Sequence, residues 1–189
     1  INAPPFYGHC TLWQVNGVKF RGCSFLNSCT DKYTGYGIHS IDAGYQVKSY
    51  CSNPLINPCT EPDSSYFSGF LYGISASNSE TLYTPMISST IFEDNGYGII
   101  LQAVNNSFIV GNRLESGIAK KDIVSCGIYG LGLKLDACDG YAVEENKFKI
   151  FAPVPSSYGG GIEVNASGIN YNQLYRNRFS NLSTAVLAD

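Results

Sequence analysis

The sequence predicts an all-β chain wound as a parallel β-solenoid of about six coils, and three observations lead there. A first phrase, Gly, a short β-rich run and then a small polar-Ala step, recurs along the chain and ends at Ala43, Ala76, Ala103, Ala137, Ala166 and, more weakly, Ala188. Between its copies lies a second phrase in which Asn precedes a large apolar residue by two: Asn112/Leu114, Asn146/Phe148 and Asn177/Phe179. Third, the runs alternate apolar and polar with period two over four to six residues, and Gly, Asn, Asp and Ser break them at short intervals, which is the mark of strands.

The elements follow in order. The gaps between the Ala positions are 33, 27, 34, 29 and 22 residues. A sandwich has no reason to repeat residue types at such intervals, whereas a solenoid stacks every position into a column one strand spacing, about 4.8 Å, above the last. The aliphatic residues two before each Ala (Ile41, Ile74, Leu101, Leu135, Val164 and Val186) are expected inside, with the Ala column at a tight corner. Cys23 and Thr90 take the Asn place in two further copies, ahead of Phe25 and Phe92. Asn suits a bend because it tolerates left-handed backbone, and stacked amides can bond from coil to coil. Insertions are expected at one corner, over residues 26–35, 93–97, 115–128, 149–159 and 180–183, with a further one over 51–65 at another. Within them, 115–125 is the one modest helical candidate.

Composition sets the outer bounds. The 189 residues are 44% hydrophobic and only 14% charged, with 20 Gly, 14 Tyr and 10 Phe. That is ample core material, and the opposite of the low hydrophobicity and high charge of a disordered tail. A net charge of −3 argues against nucleic-acid binding, which calls for a basic patch or stripe. No apolar run reaches the roughly 20 residues of a membrane span. Residues 1–189 read as a single domain, and a chain that starts at Ile1 and stops part-way round a coil at STAVLAD reads as a piece of a longer one. Seven Cys (10, 23, 29, 51, 59, 126 and 138) lean toward an oxidising, extracellular or cell-surface setting. A Cys51–Cys59 bridge is the first expectation and Cys23–Cys29 the next. Sequons stand at Asn105, Asn165 and Asn181.

With these phrases in hand, residues 11–189 resemble the right-handed parallel β-helix proteins of the pectin-lyase-like superfamily. The resemblance implies a right-handed coil. It implies no single activity, because that superfamily spans polysaccharide lyases, glycoside hydrolases, epimerases, phage tailspikes, adhesins and accessory surface proteins.

Chemistry is sought on the outward positions beside the Ala column. There Lys134 and Asp136 should lie next to Glu163 and Asn165 on the following coil. Lys134, Asp136 and Glu163 are the candidate catalytic residues. Paired carboxylates can work as acid and base in glycoside hydrolysis or hold Ca²⁺ through oxygen ligands, and no other cofactor is called for. Gln102, Asn165, Tyr97, Tyr129 and Tyr158 are the candidate ligand contacts, the tyrosines as platforms for sugar rings. The competing account is that these polar groups only solvate the face and the tyrosines only pack the turns. NTD, adjacent Asp-Asp, GHG and R-I-K, the signatures of polygalacturonases, are all missing. The Asn phrase reads as scaffold, lone His39 as structural, and Arg113 and Arg178 as a solvated edge. The expected function is therefore a non-catalytic secreted or cell-surface scaffold, with a glycan or a surface protein as partner. The alternatives are a fragment of a polysaccharide lyase or hydrolase, and a segment of a phage tailspike or fibre.

Overall fold

A computed structural model describes residues 8–28, 33–51, 62–79, 82–116, 130–150 and 159–189. Every regular element among them is a strand. The strands form three parallel sheets, and the chain visits these in rotation. Sheet 1 has seven strands: Gly8–Trp13, Tyr36–Ile41, Tyr72–Ser77, Tyr97–Gln102, Gly130–Asp136, Gly159–Asn165 and Thr184–Ala188. Sheet 2 runs from Asn16–Arg21 to Gln173–Tyr175, and sheet 3 from Ser24–Leu26 to Arg178–Ser180, with six strands each. Strands adjacent in a sheet are one full rotation apart in the chain, an arrangement consistent with a solenoid. Side chains at alternate positions point inward, and the interior is filled by columns.

The clearest column is aromatic. Phe25, Phe67, Phe92, Leu114, Phe148 and Phe179 are in register on sheet 3. Phe25–Phe67, Phe67–Phe92 and Phe148–Phe179 stack with centroids 4.5, 5.0 and 5.1 Å apart. A glycine column on sheet 1 makes room for these rings. A Cβ on Gly73 would lie 2.6 Å from the carbonyl oxygen of Gly98 and 2.8 Å from Phe92 Cδ1, and Gly37, Gly98, Gly132 and Gly161 are hemmed in likewise.

The Asn column forms as expected, with one correction. Asn112 Nδ2 donates to Asn146 Oδ1 at 3.0 Å and to the Ile87 carbonyl at 2.9 Å, and Asn146 Nδ2 repeats this toward Asn177 Oδ1 and Ile109. Thr90 and Cys23 continue the column, their backbone N–H groups donating to Asn112 Oδ1 and to Ser65 Oγ. The left-handed residue at this bend, however, is the one before each Asn: Gly111, Glu145 and Arg176 have φ of 66°, 56° and 53°. Asn is there to satisfy buried backbone, and its neighbour makes the turn.

The Ala column holds only in part. Ala103, Ala137 and Ala166 share one corner position with φ near +50°, and their N–H groups donate to Asp136, Asn165 and Asp189 of the next coil. Ala76 instead faces Ser40 and Leu101 two positions earlier, and Ala188 faces Val164. Asp42, not Ala43, takes the corner, with φ 49° and its N–H donating to Ser77. The expected inward Ile41 is therefore exposed, and Ser40 is the buried residue. At this corner Asp42, Ala103, Ala137 and Ala166 carry left-handed backbone and Asn78 takes the place in the coil between Asp42 and Ala103, so the column is not one of small residues.

The connections from Leu26 to Tyr36, Ser116 to Gly130 and Ile150 to Gly159 run between sheet 3 and sheet 1, where insertions are expected. The stretch 93–97 is no insertion, because Thr90–Asn95 is a strand and Tyr97 opens the next, and a further long connection from Ser77 to Met86 joins sheet 1 to sheet 2. The 51–65 segment joins sheet 2 to sheet 3 and is closed at its base by an antiparallel bridge between Tyr50 and Asp63. The helical candidate begins in a strand, Arg113–Ser116, and the rest of it lies outside the described residues. Cys51 is disulfide-bonded, while its expected partner Cys59 lies outside the described residues. The Cys23–Cys29 bridge is not made: Cys23 is a free thiol, as are Cys10 and Cys138.

Candidate functional site

The outer face of sheet 1 carries three columns, each set by strand register. The first holds Tyr36, Tyr72, Tyr97 and then Leu131. The second runs Thr11, His39, Ser75, Ile100, Lys134, Glu163 and Leu187. The third runs Trp13, Ile41, Ser77, Gln102, Asp136 and Asn165. Lys134 thus lies directly beside Glu163, and Asp136 beside Asn165, as the sequence predicts, with Gln102 one coil below Asp136.

The centre of the face is an ion pair. Lys134 Nζ donates to Glu163 Oε1 at 2.6 Å, and Asn165 Nδ2 donates to the same oxygen at 3.0 Å. Both ionic side chains are about a quarter exposed. The hydrogen bond from Lys134, helped by that from Asn165, holds the Glu163 carboxyl below its ordinary range despite partial burial. The same bond to Glu163 pushes the Lys134 ammonium above its ordinary value, with partial burial opposing it. Both groups are therefore locked in their charged forms through the neutral range. Acid and base work wants the reverse, a carboxyl raised or an amine lowered toward the working pH. Among the described residues no group of three or more His, Cys, Asp or Glu is placed to hold a metal ion.

Three tyrosines form a ladder beside this pair. Tyr36–Tyr72 and Tyr72–Tyr97 stack with centroids 5.1 and 5.3 Å apart and planes within 24°. His39 lies against Tyr36 at 4.7 Å, and its burial lowers the imidazole pKa, which favours the neutral ring. Burial also raises the Tyr36 and Tyr97 phenols. The ladder changes what these residues can offer. Both faces of Tyr72 are covered by its neighbours, so that ring presents its edge and hydroxyl, while Tyr97 closes the stack with one face against Tyr72. Tyr129 and Tyr158 lie outside the described residues, and the ladder position passes to Leu131 and Gly160.

His39 and Ser75 share the column of Lys134 and Glu163, a place that counting back from Ala43 and Ala76 does not give them. Anchoring the repeat on Gly37, Gly73, Gly98, Gly132 and Gly161 would have found them. Comparison with known proteins adds no relative: no family model, no curated protein and no solved structure matches the chain.

Proposed function

We propose that the chain is a right-handed parallel β-helix of about six coils, akin to the pectin-lyase-like superfamily. In this reading it serves as a non-catalytic scaffold, secreted or at the cell surface, whose sheet 1 face meets a glycan or a surface protein. One observation carries the non-catalytic reading: Lys134 and Glu163 neutralise each other at 2.6 Å, which leaves neither poised to move a proton. The disulfide at Cys51 supports an oxidising compartment. Exposed Gln102 and half-buried Tyr97, Asp136 and Asn165 supply the polar groups that a hydroxyl-rich ligand would need.

The test is to incubate the protein with a panel of neutral and acidic polysaccharides and to follow reducing ends and unsaturated products. No release above background is expected from the natural chain, from Asp136→Asn or from Glu163→Gln. Cleavage that Glu163→Gln abolishes would instead make the face an active site and overturn the reading.

A further inference from the structure

The outer face of sheet 2 carries a hollow away from the sheet 1 face. Phe108, Ala142 and Gln173 stand in one column, with Phe108 paired to Ala142 and Ala142 to Gln173 in strand register. Their chain neighbours Ile109 and Val143 are buried, so this column faces out. The small Ala142 between two longer side chains leaves a depression of about 570 Å³, the size of a small-molecule site. One wall is the 168–172 turn, which folds back onto Asp139. Asp139 Oδ1 accepts from Gly140 N and from Asn170 N, each at 3.0 Å, and its Oδ2 accepts from Asn170 Nδ2. These bonds set Asn170 and the exposed Tyr171 on the rim, two coils on from the exposed Phe108.

The lining is chemically one-sided. Gln173 Nε2 donates to Glu144 Oε1 at 2.7 Å, so Gln173 and Asn170 each turn the NH2 end of the amide to a carboxylate and keep the oxygen to accept. Glu144 has no cation partner among the described residues, and its second oxygen is left to the hollow. The Tyr141 hydroxyl is engaged with Ser167 Oγ at 3.2 Å. Neither Lys nor Arg lines the hollow, which leaves Glu144 as its one ionised group.

We propose that this hollow binds a small primary alkylamine, its ammonium group set against Glu144 and the amide oxygens of Gln173 and Asn170, its alkyl stem beside Phe108 and Tyr171. An ammonium group brings donors and no acceptor, which matches acceptors gathered round one carboxylate. The exposed rings add apolar surface for the stem and attraction for the charge. An anion finds no cation here, a neutral sugar leaves the carboxylate charge unmatched, and a quaternary amine has no N–H to give. No residue of the hollow belongs to sheet 1, so this assignment and the one made for that face can fail separately.

An amide-resolved NMR titration of the whole chain with pentylamine, at neutral pH and low salt, tests the proposal. Saturable shifts are expected at the amides of Phe108, Gly140, Glu144 and Gln173. Glu144→Gln should weaken binding about fivefold, and Phe108→Ala about threefold. Ala142→Leu fills the hollow from its outward position and should abolish the saturable shifts. Glu145→Gln removes the same charge from the adjoining corner, where Glu145 is paired with Arg176, and should leave binding unchanged. Tetramethylammonium and pentanol should bind at least about fivefold more weakly, and cellobiose should not shift these amides. Absence of saturable shifts with pentylamine overturns the proposal, as does equal binding of pentanol, tetramethylammonium or cellobiose. Tighter binding of Nα-acetyl-lysine methylamide makes a polypeptide side chain the occupant in place of a free amine, and an equal loss in Glu145→Gln reduces the effect to net charge.

Discussion

Replacing Asn146 by Ala cuts the amide ladder at its centre, and its cost can be worked from the bonds lost. Asn146 is fully buried. Its Oδ1 accepts from Asn112 N at 2.9 Å and from Asn112 Nδ2 at 3.0 Å. Its Nδ2 donates to the Ile109 carbonyl at 2.8 Å and to Asn177 Oδ1 at 3.0 Å. Truncation leaves the Asn112 N–H and the Ile109 carbonyl in an apolar interior that the small Ala side chain cannot serve. At about 1–3 kcal/mol for each buried group left unpaired, the loss is about 3–5 kcal/mol, a large share of the 5–15 kcal/mol typical of a domain. Asn177→Ala, in the less buried last member of the column, should cost roughly half as much. Urea unfolding followed by far-UV circular dichroism reads both, with a fall in the melting temperature of roughly 8–15 °C for Asn146→Ala. A loss below about 1 kcal/mol for Asn146→Ala would refute the view that the ladder satisfies the bend.

The glycine column and the ion pair give two further predictions. Gly98→Ala drives a Cβ to 2.5 Å from the Gly132 carbonyl oxygen and should cost more than about 2 kcal/mol. Gly111→Ala, where nothing lies within 4 Å but φ is +66°, should cost only about 1 kcal/mol, and urea midpoints separate the two. For Glu163, whose folded pKa is depressed, the stabilisation is present above the ordinary carboxylate value of 4.5 and disappears as pH falls through the lower folded value. For Lys134, whose folded pKa is raised, it is present below 10.5 and disappears as pH climbs through the higher folded value. Glu163→Gln should therefore trail the natural chain by about 0.5–1 kcal/mol near pH 7 and converge with it in acid. A gap that persists unchanged at pH 2 would contradict the pairing.

How much of this was legible in the sequence depended on whether a residue type had one structural reason to recur. Asn112, Asn146 and Asn177 recur because a short amide can both donate and accept at the buried bend, so their column is legible in the sequence, although Thr90 and Ser65 fill the same place in earlier coils and the turn itself is made by the preceding residue. Ala recurs for several reasons: a left-handed corner at Ala103, Ala137 and Ala166, a buried strand position at Ala76, and the residue after the corner at Ala43. Aligning on it slipped the first two coils and hid His39 and Ser75. From Gly98 onward the two anchors agree, which is why the Lys134–Glu163 and Asp136–Asn165 neighbours were found. Counting from the glycines aligns Tyr36, Tyr72 and Tyr97, each one residue before Gly37, Gly73 and Gly98, whereas Tyr129 and Tyr158 stand three residues before Gly132 and Gly161.

Register between strands a full rotation apart underlies every site described above, and scalar couplings across backbone hydrogen bonds measure it directly by NMR in solution. Stacked parallel coils predict couplings from Ala103 N to the Asp136 carbonyl carbon, from Ala137 N to that of Asn165, and from Lys147 N to that of Asn112. Couplings from these amides to other partners, or an antiparallel pattern between any two sheet 1 strands, would contradict it.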